Sequence, residues 1–202
     1  MKANFTEEIN LLLRKHQRRA KDWKFNRAIT VLHKWAKRMI ANFHLGIGIP
    51  ALMIERLGRK LGRFTCGRNP FGLRDEIAID EGALYELPLY MVIVTVLHEL
   101  VHSWQEHHGM KPRSKNPHYH NAEFRQKARS LGLLVGVWGH TQCTPGNTPL
   151  LNLFKKYGFK VPEIPEPKPF PQRQRRLKFK GGIGKDGRKK DKGVQAVQVG
   201  ES

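Results

Sequence analysis

Cysteine is scarce in this chain, with two among 202 residues. Cys66 and Cys143 lie far apart and form no CxxC pair, which argues against a disulfide framework and for a reducing, intracellular setting. Long apolar runs are missing as well. The longest, Leu87 to Leu97, falls short of the roughly 20 residues that span a bilayer. The N-terminal residues reach Glu7 and Glu8 before any apolar run, the wrong order for a secretory signal. These absences predict a cytoplasmic protein with no membrane partner. Acidic residues are few: 17 Asp and Glu stand against 37 Lys and Arg, a formal net charge of +20. Such an excess says little about fold but favours polyanionic partners, nucleic acid first among them.

A chain of this length holds one domain with a proper core plus extensions. Residues 1–45 read as an N-terminal helical region. Ile9, Leu12 and Leu13 recur at helical spacing, as do Ile29, Leu32, Ala36, Met39 and Ile40. Between them, Arg14 to Lys24 is a basic stretch that reads as a solvated helix face or as a nucleic-acid contact. Residues 46–160 read as the main domain. Its first part is rich in glycine, with short apolar pieces at Ile49–Ile54, Leu61–Cys66 and Glu76–Asp80 that predict a small three-stranded sheet. Asn69 to Gly72 is a turn signal between two of them.

Pro88 suits the first turn of a helix, and Leu89 to Trp104 follows, apolar nearly all round. Its β-branched residues suit a strand, but its length and the polar residues four apart at its end predict a buried central helix. The loop Gly109–Pro117 ends it, and a second helix is expected over Asn121–Leu131. Residues 161–202 are a linker with five prolines up to Gln172, then a basic, glycine-rich tail with too few large apolar side chains to fold alone. The expected class is α+β.

His98-Glu99-Leu100-Val101-His102 has the pattern H-E-x-x-H. Residues four apart share a helix face, so two imidazoles can bind one Zn²⁺. Glu99 stands where it can take a proton from a metal-held water and deliver it to a leaving amine. A catalytic zinc takes three protein ligands and keeps one open position. The third can come from His107, His108, His118, His120 or the carboxylate of Glu123. His107 and His108 sit on the same helix or its frayed end and are poorly placed to curl back. His118 and His120 follow a loop long enough to reverse the chain. Cys143, with His140 three residues before it, reads as structural rather than as half of a metal site.

Val96 to Trp104, followed by His120-Asn121-Ala122-Glu123-Phe124, resembles the SprT-like family of metallopeptidases. Leu61-Gly62-Arg63-Phe64 and Ile77-Ala78-Ile79 are similar to the family's short sheet, and the resemblance spans Ile49 to Gly158. It implies that His98, His102 and His120 hold a single zinc ion, with His118 the rival third ligand, and that Glu99 is the general base and acid. It also implies a protein substrate bound or crosslinked to DNA. The chain departs from the family in two places. Asn121 follows the third histidine where glycine is frequent, and no cysteine after Val161 is available for a C-terminal zinc ribbon. Small chains of this kind resemble members from phage and mobile elements.

In the tail, Arg173, Arg175, Arg176, Lys178 and Lys180 are candidate phosphate contacts, with Phe170 and Phe179 placed to stack on unpaired bases. The competing function is a nucleic-acid-binding protein whose zinc is structural and which has no peptidase activity.

Overall fold

The computed structural model describes residues 5–67, 75–110, 116 and 119–170. The expected Asn69–Gly72 turn, most of the loop before Tyr119, His118, and the basic residues Arg173, Arg175, Arg176, Lys178 and Lys180 lie outside the described residues. The chain divides into two units at Phe170, and the fold below is that of the first.

The N-terminal region is two helices, α1 (Phe5–Arg19) and α2 (Asn26–Asn42). The break has a local cause: Asn26 folds its side-chain amide back onto the carbonyls of Gln17 and Arg18, satisfying the end of α1 as α2 starts. Strands β1 (Ala51–Glu55), β2 (Gly62–Thr65) and β3 (Glu76–Asp80) form a sheet of order β1-β3-β2, parallel between β1 and β3 and antiparallel between β2 and β3. The three-stranded sheet is as expected, with β1 shifted to start at Ala51 and end at Glu55, β2 trimmed by one residue at each end, and β3 at its expected bounds. Leu52 and Phe64 flank Ile77 in register, and all three are buried.

Asp80 ends β3 and caps the short helix α3 (Glu81–Glu86) by accepting from the amide of Ala83 at 3.1 Å. Helix α4 (Leu89–His108) follows Pro88 and runs one turn beyond the expected Trp104, ending where Gly109 breaks it. It is the core element, with Val92, Ile93, Val96, Leu97, Leu100 and Val101 at most 1% exposed. Helix α5 (Ala122–Ser130) occupies the expected segment, with Asn121 as its cap. A hairpin of β4 (Leu133–Val135) and β5 (Thr141–Cys143) and a last helix, α6 (Pro149–Lys156), complete the described fold. Trp35 of α2 packs edge-on against Phe154 of α6 and against Phe159, with ring centres 5.1 and 5.2 Å away. Among the described residues no helix is long and apolar enough to cross a membrane.

The proline-rich segment Val161–Phe170 is extended, as composition suggests, but it is anchored to the hairpin. Lys168 exchanges two backbone hydrogen bonds with the side chain of Gln142, at 2.7 and 2.8 Å. Phe170 stacks on His140 and closes against Gly136, where a Cβ would come within 2.8 Å of its ring.

Helix α1 differs from its apolar pattern. Leu12 is 62% exposed, whereas Asn10 and Gln17 are buried. Their amides donate to the carbonyls of Ile49 (3.1 Å) and Leu52 (2.8 Å), so α1 covers the outer edge of β1 with polar groups. Gln17 Oε1 also accepts from His33 Nε2 at 2.8 Å, which links α1, α2 and β1 through one side chain. His33 is held well below its ordinary range, at about 4, by burial and then by the Arg14 guanidinium. The folded state therefore resists a proton that the unfolded chain accepts near pH 6.5. This contribution is complete above that pH and is lost as pH falls towards 4, up to about 3 kcal/mol in all. Urea unfolding between pH 7 and 4 should show a steeper loss of stability in the wild type than in His33→Gln. Equal slopes would refute the assignment.

Candidate metal centre

Two elements supply the site. His98 and His102 stand one turn apart on α4, and His120 arrives from the segment leading into α5. The Nε2 atom of His120 lies 3.1 Å from Nε2 of His98 and 3.0 Å from Nε2 of His102. One nitrogen from each ring falls within 4.8 Å of the others, the geometry of a group that could hold a metal ion. Phe124, fully buried, backs the cluster with ring centres 5.1, 4.3 and 4.5 Å from His98, His102 and His120.

His120 is held from three sides. Its amide donates to the carbonyl of Val137 at 2.9 Å, tying it to the loop between β4 and β5. Gly139 of that loop has φ +86° and approaches so closely that a Cβ would stand 3.0 Å from His120 Cε1. Asn121 supplies the third restraint. Its Oδ1 accepts from the amide of Phe124 and from Gln105 Nε2 of α4, both at 2.9 Å. One side chain thus caps α5 and fastens its start to α4, a task glycine could not perform.

The tautomer of His98 follows from its neighbours. The hydroxyl of Thr141 donates to the carbonyl of Gly139 at 3.2 Å. With its single hydrogen so used, Thr141 Oγ1 accepts from His98 Nδ1 at 2.8 Å, leaving the Nε2 lone pair directed at the cluster. Burial, followed by the neighbouring His120, pushes His98 down to about 3, so its ring is neutral at pH 7 and ready to ligate.

Glu99, the next residue on α4, is 6% exposed. Its carboxylate lies against β2, and a Cβ on Gly62 would come within 2.8 Å of Glu99 Oε1. Only glycine leaves that room at position 62.

The other sequence candidates are used elsewhere. His107 pairs with Asp75 at 2.8 Å and His108 meets the carbonyl of Gly46 at 2.9 Å. Glu123 accepts from the amide of Met110 at 2.7 Å and from Gln105 at 3.4 Å. Cys143 is buried in the core, where burial pushes its thiol up to about 11, and it does not belong to the group of ligating side chains formed by His98, His102 and His120. Thr141 and Gly62 carried no signal in the sequence, because a lone threonine and a strand glycine are commonplace until the fold sets them beside His98 and Glu99.

The donor set suits zinc. Two imidazole nitrogens on one tetrahedral zinc at about 2.0–2.1 Å each stand roughly 3.3 Å apart, close to the spacings found here. No protein-family model, curated protein or solved structure matches the chain. Thr141→Val should weaken zinc binding about ten- to a hundredfold, measured by competition with a chelating indicator, while Thr141→Ser retains it. Wild-type affinity in Thr141→Val would show that the hydroxyl does not orient His98.

Proposed function

We propose that the chain is a zinc-dependent metallopeptidase. The observation that carries this reading is the convergence of His98, His102 and His120 with Glu99 placed directly after the first of them on α4. Among the described residues the cluster holds three metal-ligating side chains, which matches a catalytic site that keeps a position open rather than a closed structural one. A zinc ion there would lower the pKa of a bound water and polarise the scissile carbonyl. His98, His102 and His120 would hold it. Glu99 would take the proton from the attacking water and return it to the departing amine. Gly62, without a side chain, leaves the room beside β2 that the Glu99 carboxylate occupies.

The resemblance to SprT-like metallopeptidases supplies the substrate class: proteins bound or crosslinked to DNA. The net charge of +20 is compatible with work on a polyanion. Cys66 and Cys143 are both free thiols, which suits the reducing cytoplasm.

Zinc content and cleavage of an unfolded protein should be measured together. The wild type is expected to hold one zinc and to cleave. His120→Ala should lose both properties, and His118→Ala should keep both. Glu99→Gln should keep the zinc and lose activity by about a hundredfold or more, the usual share of a general base. Gly62→Ala should keep the zinc and cleave more slowly, because the added methyl displaces Glu99. Cleavage by Glu99→Gln at the wild-type rate would remove the peptidase reading and leave zinc in a structural role, as in a nucleic-acid-binding protein.

A further inference from the structure

A second site lies at the junction of α1 and α2. The C-terminal turns of α1, the turn after it and the first turns of α2 enclose a groove of about 810 Å³. Lys15, Arg18, Arg19, Lys21 and Arg27 line it, with Asn26 and Thr30 among its polar groups. No acidic side chain is among its lining residues. All five cations are exposed, and among the described residues none of them forms a salt bridge. Lys24, nearby in sequence, pairs with Glu81, and Asp22 does not line the groove.

Cations in the last turn of a helix ordinarily complement its dipole, and Arg18 and Arg19 do so in α1. That explanation does not reach Lys21 or Arg27, which come from the following turn and from the start of α2. Like charges from three consecutive segments gathered in one recess repel each other unless an anion lies between them. The groove is too large for a single phosphate. The exposed Leu11 and Leu12 of α1 do not line it.

We infer that this groove binds the phosphodiester backbone of a nucleic-acid strand, through Lys15, Arg18, Arg19, Lys21 and Arg27. Binding there depends on charge and is without base selection, since phosphates carry no sequence information. The inference does not rest on the metal centre. If both hold, the groove fixes nucleic acid to the same folded unit that carries His98, His102 and His120, raising the local concentration of bound protein substrates.

The test measures fluorescence anisotropy of labelled single-stranded and duplex DNA with the full chain across a salt series. The groove variant is Arg18→Gln/Arg19→Gln/Arg27→Gln. The control, Arg129→Gln/Lys155→Gln/Lys160→Gln, removes three exposed cations outside the groove. Circular dichroism and thermal melting establish that both remain folded. The groove variant should lose at least about tenfold in affinity at low salt. Its slope of log affinity against log salt should fall by about 2 if single strands occupy the groove, or by nearly 3 if duplex does. The control should change by no more than about a third of that. Glu99→Gln should bind as the wild type does, so failure of the peptidase reading leaves this one intact. Equal losses in groove variant and control would overturn the inference. So would groove-dependent binding to phosphatidylserine vesicles without groove-dependent binding to DNA.

Discussion

Three imidazole rings, with His120 Nε2 about 3 Å from Nε2 of both His98 and His102, are the arrangement around which the rest of this molecule is organised. Burial forbids charge on His98, and the fully buried Phe124 ring offers the cluster an apolar wall and no carboxylate. Such a group of bases could hold a metal ion where its ring orientations are fixed. The surroundings meet that need in detail. Val137, Gly139 and Asn121 hold His120, Thr141 sets the tautomer of His98, and α4 is locked in the core by its apolar faces. His33 shows the contrast. It is also buried and neutral, but it stands alone on α2, bonded to Gln17, and serves to fasten α1 to the sheet.

The small sheet has two roles in this scheme. Its β3 strand, buried along most of its length, backs α4. Its β2 strand presents Gly62 to Glu99, where a Cβ would come within 2.8 Å of the carboxylate. The hairpin β4–β5 does the corresponding work on the other side of the cluster, since its loop carries Val137 and Gly139 and its second strand carries Thr141. The segment up to Phe170 in turn braces that hairpin through Gln142 and His140. The site is therefore held by elements distant in sequence.

Charge is distributed with similar economy. Several acidic groups among the described residues are committed: Asp80 caps α3, Glu81 meets Lys24 and Arg56, Glu55 meets Arg63, and Glu123 receives the amide of Met110. Among the described residues the cations of the α1–α2 groove form no salt bridge, which gives the folded unit a concentrated positive recess.

Periodic, local features were legible from the sequence. The central helix, the bounds of β3, the presence of a helix near Asn121–Leu131, and the pairing of His98 with His102 all follow from patterns within a few residues of each other. Elements too short to carry a period were not legible: α3, the three-residue strands β4 and β5, and α6 owe their form to the neighbours they pack on. The burial of Asn10 and Gln17 in place of Leu12 was hidden for the same reason, because it answers to the open edge of β1. At the site, the chain's own residues left several candidates for the third ligand, and the resemblance pointed to His120. Only the tertiary structure showed His107, His108 and Glu123 bound elsewhere, and brought Thr141 to His98 from 43 positions away. A helix sets its own geometry through contacts three and four residues apart. The closing of a loop onto a helix is decided by what the whole core can pack.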